Sequence, residues 1–278
     1  MGSDDFLGGP RVVRISPRTG AALGLAVVLG LAMFTWPLFA APPAGGQAHA
    51  VDAPFLFMVT LPVLMLVVLA ELSSGGIDAK ALALLGVLSA VNAGLRPLAA
   101  GTGGIELVFF LLVLAGRVFG PGFGFALGST SVFASALLTA GVGPWLPFQM
   151  FSSSLIGLGA GLLPRRVRGK AEIAMLCAYG VVAAYGFGLV MNMWFWPFLA
   201  GASMSAETAG LSFVPGAPIG ENLHRFLVFT VLTSTFGWDT GRAITNVVAI
   251  LLVGRAILAI LRRSARRAAF DAPVTFTG

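Results

Sequence analysis

The run FGWDTGRAITN places Trp238, Asp239, Arg242 and Asn246 close together, with 238, 242 and 246 at i, i+4, i+8 and 239 three before 242. On a helix these four side chains leave neighbouring turns. Their chemistry is recognition: an indole to stack on, a carboxylate and a guanidinium to hold a polar group, an amide to donate and accept. Asn92, Glu106, Gln149 and Asn192 are further polar groups placed where hydrocarbon would penalise them, so an inward orientation is cheaper. Arg96, Trp145, Trp194 and Trp196 stand beside them at the ends of apolar runs. A mostly apolar cavity with a few convergent polar groups and stacking aromatics is the common form of a small-molecule site. The competing reading is an ordinary aromatic belt with anchoring charges.

Other chemistries find little support. No GxxxxGK[ST] loop occurs, so the chain carries no recognisable nucleotide site. Ser129, Ser131 and Ser152 to Ser154 could serve as nucleophiles only beside a base, and the two histidines, His49 and His224, fall in predicted outer segments. With one cysteine, Cys177, in an apolar stretch, neither a disulfide nor a metal cluster is expected, and no cofactor is implied. One alternative is an intramembrane enzyme acting on a lipid through Asp239 with Arg242 or Glu106 with Arg96. The other is a self-sufficient secondary transporter, although neither inverted repeats nor broken central helices are evident.

The elements that must position these residues are membrane helices. Of 278 residues 57% are hydrophobic and 10% charged, far from the roughly 25% charged residues of soluble domains. Lipid is the natural solvent. The pI near 10.7 does not point to nucleic acid, because the basic residues flank apolar runs instead of forming a patch. About 20 apolar residues make one crossing, and eight crossings are predicted near 19–40, 54–71, 79–96, 103–118, 122–140, 148–164, 171–199 and 238–262. The first is too long for a cleaved signal peptide. With the N-terminus inside, fourteen of the 17 Lys and Arg fall in inner segments, leaving Arg96, Arg225 and Arg242 outside. This matches the positive-inside rule and places both termini in the cytoplasm. Residues 200–237 are read as a long outer loop holding a short amphipathic or re-entrant helix, because a full crossing there would put the RRSARR tail outside.

The third crossing carries small residues at four-residue spacing, Ala79 with Ala83 and Gly86 with Ala90 and Gly94. Such a face lets another helix approach closely. It serves either internal packing or the docking of a separate subunit.

Beside these features stand a lysine-led helix ending in LRPL, the turn AAGTGGIE, and the segments GRVFGPGFGFALGSTS, GVGPWLPFQM, GLGAGLLPRR and FGWDTGRAITN with its basic tail. Across about 79–267 the chain resembles the S component of energy-coupling factor (ECF) transporters, in particular its actinobacterial-type members. The resemblance implies an all-α polytopic membrane protein whose core, 75–267, is a six-helix substrate-binding bundle. Residues 1–74 would then be a tail and an added two-helix hairpin, and 268–278 a C-terminal tail. It further implies a non-enzymatic binder of a vitamin or related micronutrient in the bacterial cytoplasmic membrane, cobalamin or a precursor first among them. Its partners would be a transmembrane T component and two cytoplasmic ATPases. Docking would use Ala79, Ala83, Gly86 and Ala90, and the loop from Arg96 to Gly104, with Gly101, Gly103 and Gly104, would cover the substrate. By the same resemblance the outer helix ends supply the pocket, which falls on Trp145, Gln149, Asn192, Trp238, Asp239, Arg242 and Asn246.

Overall fold

A computed structural model describes residues 16–35, 38, 59, 61–66, 69, 70, 79–97, 104–198 and 209–268. Gly101, Gly103, His49 and half of the predicted second crossing lie outside the described residues. Every regular element among the described residues is helical, as expected where lipid offers no partner to a free backbone N–H or C=O. In chain order these are α1 (Pro17–Thr35), a helical stretch at 61–66, α2 (Ala79–Leu95), α3 (Val108–Phe119), α4 (Pro121–Leu138), α5 (Leu146–Leu162), α6 (Gly169–Phe195), α7 (Ile219–Thr230), a π-helical segment (Val231–Asp239) and α8 (Thr240–Ala268). By length and composition Pro17–Thr35, Pro121–Leu138, Gly169–Trp194 and Ile219–Arg266 are each able to cross a membrane, and Ala79–Leu95 and Val108–Phe119 are shorter apolar helices. The all-α, polytopic membrane architecture expected from the sequence is the one observed.

Helix α3 sits at the centre. Its run VFFLLVLAGRVF is buried nearly all round, and its 12 residues span only about 18 Å. The predicted crossing at 103–118 is thus shorter than expected, because residues 105–107 remain non-helical ahead of it. A tight reversal follows, with Gly120 at φ 100° and Pro121 in the first turn of α4. Only glycine adopts that φ readily, and proline suits a helix start because its missing N–H would have been unpaired there.

Helices α4 and α5 meet backbone to backbone. A Cβ on Gly124 would stand 2.1 Å from the Gly157 carbonyl oxygen, one on Gly128 2.4 Å from that of Ser153, and one on Gly161 2.3 Å from the Pro121 nitrogen. Small residues at four-residue steps on both helices remove the side-chain layer, so dispersion and close packing substitute for the hydrophobic drive that lipid cannot supply. Gly157→Ala should therefore push the pair apart and lower stability by about 1–3 kcal/mol, measured as a drop in thermal unfolding temperature of the detergent-solubilised protein.

Helix α8 runs antiparallel to α6. Gly188 packs on Asp239, the Tyr185 hydroxyl bonds that of Thr240 at 2.9 Å, and Gly180 faces Asn246 and Ile250. Helix α2 is tied to α4 by Ser89 with Thr130 at 2.7 Å and by Asn92 Nδ2 donating to Ser131 Oγ at 2.9 Å.

One expectation is corrected. The outer loop assigned to 200–237 gives way at Ile219 to helix that continues through the π segment into α8. The amphipathic helix exists, but it is continuous with the last crossing. Its buried face, Asn222, Phe226 and Phe229, packs Phe226 on Trp196 at 5.4 Å between ring centroids, at the far end of α6. That apolar face repays continued helix, which the charge-parity argument from the tail could not register.

Candidate functional site

Two polar clusters lie at opposite ends of the bundle. The first gathers at the end that holds Arg96, Glu106, Gln149 and Asp239. Arg96 immediately follows α2 and its Nη2 donates to Gln149 Oε1 at 2.6 Å, one turn into α5. Glu106 lies in the short non-helical segment before α3 and accepts from Arg242 Nε at 2.5 Å. Arg242 also donates through Nη1 to Asp239 Oδ1 at 2.9 Å, and its guanidinium lies 5.1 Å over the Phe187 ring. The two halves sense each other, since Arg96 interacts electrostatically with both Glu106 and Arg242.

The π segment shapes this cluster. Ser234 Oγ donates to Asp239 Oδ2 at 2.7 Å across five residues. On an α-helix two residues five apart diverge by about 140° at 3.6 residues per turn, whereas the wider π turn brings them onto one face. Thr235 and Thr240 make the same five-residue reach, to the carbonyls of Thr230 and Thr235. Asp239, 1% exposed, is thereby held by a hydroxyl on one oxygen and a guanidinium on the other. Gly188 makes room for it, because a Cβ there would stand 2.0 Å from Oδ1.

The other candidates take different places. Asn92, fully buried, is turned to Ser131 and keeps Oδ1 without a partner. Asn246 is also fully buried, donates back to the Arg242 carbonyl at 2.7 Å, and likewise has an unpartnered Oδ1. The Asn192 Nδ2 is buried without a partner. Each is a polar group able to receive a ligand's hydrogen bond or to donate one. Trp145 and Trp238 are more than two-fifths exposed, which fits boundary aromatics better than a stacking platform inside the cluster. Trp238 has a different use: Gly104, at φ 82°, sits directly on its backbone, a Cβ there falling 2.3 Å from the Trp238 carbonyl oxygen. The expected covering loop is therefore pinned at its Gly104 end to the entrance of α8.

Sequence reasoning did not single out Ser234 or Phe187, and it passed over the second cluster. At the opposite end, Arg117 Nε donates to Glu172 Oε1 at 2.8 Å, and its Nη1 and Nη2 hold the carbonyls of Leu163 and Val167 at 3.0 and 2.9 Å. Arg262 Nη2 reaches both Glu172 oxygens at 2.6 and 2.7 Å. One carboxylate thus joins α3, α6, α8 and the α5–α6 turn.

Helix α2 turns Ala79, Ala83, Gly86 and Ala90 outward, and no atom lies within 4 Å of where a Cβ on Gly86 would be. Among the described residues this small-residue row has no internal partner, and internal close packing belongs to the glycines of α4 and α5.

A bundle of apolar helices with charged and amide groups converging at one end defines a multi-pass membrane protein with a polar cluster at that end. The family model for the ECF transporter substrate-specific component matches residues 80–236, and the chain belongs to that family. Its members are the substrate-binding subunits of transporters. No curated protein and no solved structure matches the chain. The matched segment opens in α2 and closes in the π segment, so α1 and the helical stretch at 61–66 precede it.

Proposed function

We propose that the chain captures a vitamin or related micronutrient, cobalamin or a precursor being the first candidate, and delivers it to a transmembrane T component driven by two cytoplasmic ATPases. The pocket is formed by Asn92, Arg96, Glu106, Gln149, Asn192, Asp239, Arg242 and Asn246, with Trp145 and Trp238 at its rim, opening outward with both termini in the cytoplasm. The observation that carries this reading is the convergence of Arg96, Gln149, Glu106, Asp239 and Arg242 from four separate parts of the chain onto one end of the bundle. Binding suits this geometry better than acid–base catalysis, because both carboxylates already accept hydrogen bonds from Arg242. The outward row Ala79, Ala83, Gly86 and Ala90 supports the docking role, since a helix free of bulky side chains lets a partner helix approach closely.

Purified full-length protein should bind cobalamin or another vitamin with micromolar affinity or better in equilibrium titrations, and failure across a vitamin panel would overturn the reading. Co-expression separates the second role. Gly86→Leu should abolish co-purification with the T component and ATPases while leaving vitamin affinity within about twofold, because the bulk is added on the far side of α2 from Asn92.

A further inference from the structure

We infer that α1, which precedes the family-matched segment, is a positioning element for the pocket and acts through Gly30 and Phe34 on two phenylalanines of α5. The inference rests on the reading that Gln149 belongs to the pocket. The buried face of α1 is Thr19, Leu23, Ala26, Gly30 and Phe34, stepping by three or four residues, while Leu25, Val28 and Leu29 face outward. Phe34, 1% exposed, is the only large aromatic on that face, and it lies at the pocket end.

Its ring stands edge-on to Phe148 at 5.1 Å and stacks on Phe151 at 6.0 Å. One turn earlier Gly30 lies against the tip of the same Phe151, where a Cβ would stand 2.0 Å from Cζ. Glycine at 30 lets α1 come near enough for Phe34 to wedge between the two rings. Phe148 passes the constraint on in two directions. Its ring lies 4.6 Å from Trp194, and the next residue along α5 is Gln149, the partner of Arg96. Aromatic pairs of this kind contribute about 0.5–1.5 kcal/mol each beyond area burial. Removing Phe34 therefore loosens Phe148 against Trp194 and relaxes the rotamer of Gln149, although α1 itself supplies none of the proposed pocket residues.

The test uses full-length protein in detergent and reads tryptophan emission with acrylamide quenching, the Trp194 component being isolated by difference from Trp194→Phe. Phe34→Ala should red-shift that component and raise its quenching, Phe34→Leu should largely restore it, and the effect should vanish in the Trp194→Phe background. In parallel, titrations with cobalamin and thiamine should show whichever probe the unaltered protein binds losing about three- to tenfold in affinity with Phe34→Ala, the fold-change of one such aromatic pair. An unchanged Trp194 component, or an equal change in the Trp194→Phe background, overturns the inference. If neither probe binds the unaltered protein, that result counts against the pocket reading alone, and the fluorescence arm still decides this one. Should Phe34→Ala fail to fold, Gly30→Ala displaces the Phe151 ring and is read in the same way.

Discussion

Glu172→Ala should destabilise the protein by about 3–5 kcal/mol, the usual cost of removing one partner from a buried ion pair. The reason lies in what is left behind. Arg117 is 5% exposed and would keep its charge with only the Leu163 and Val167 carbonyls to hold it. Arg262, at 43% exposure, can turn to water, so Arg262→Ala should cost no more than about 1 kcal/mol. A double variant, Arg117→Met with Glu172→Met, removes both charges and should recover most of the loss, since apolar replacement of a buried pair is often close to neutral. Thermal unfolding of the detergent-solubilised variants measures all three. Equal losses for Glu172→Ala and the double variant would show that the pair matters for shape and not for charge.

The helices were legible because lipid imposes long uncharged runs and tolerates few interruptions, and this reading placed α1, α2, α4, α5 and α6 within a few residues. The polar end of the bundle was legible for a related reason. Asn92, Glu106, Gln149 and Asp239 are conspicuous in an apolar sequence, and hydrocarbon penalises them individually. What escaped depends on pairing across distance or on irregular helix. Glu172 follows RRVRGK and reads as an ordinary acid in a first helical turn, while its partners lie 55 and 90 residues away. Ser234 was invisible as a partner of Asp239 because a five-residue offset has meaning only on a π turn. The glycines at 120, 124, 128, 157 and 161 stand at regular spacing, but spacing cannot say which of two small-residue faces finds a partner inside the chain. The structure divides them, with α4 and α5 closing on each other and α2 left facing outward.

Arg242→Ala should weaken binding of the proposed vitamin-type ligand by roughly ten- to a hundredfold, the loss of one charged hydrogen-bonding partner. It should also lower stability, because Glu106 and Asp239 would face each other across a partly buried site with no cation between them. Arg242 uses two edges of its fork at once on two carboxylates, Nε on Glu106 and Nη1 on Asp239. Lysine presents a single point charge and cannot span both carboxylates in that geometry. Arg242→Lys should accordingly recover much of the stability and little of the affinity. Pairing Arg242→Ala with Asp239→Asn separates the roles further, since neutralising the more buried carboxylate relieves the electrostatic cost without rebuilding the tie to Glu106. If that double variant regains both stability and affinity, Arg242 serves as a strut that neutralises Asp239. Recovery of stability alone makes the Glu106–Arg242 link, which joins the segment entering α3 to the start of α8, the part of the site that the ligand requires.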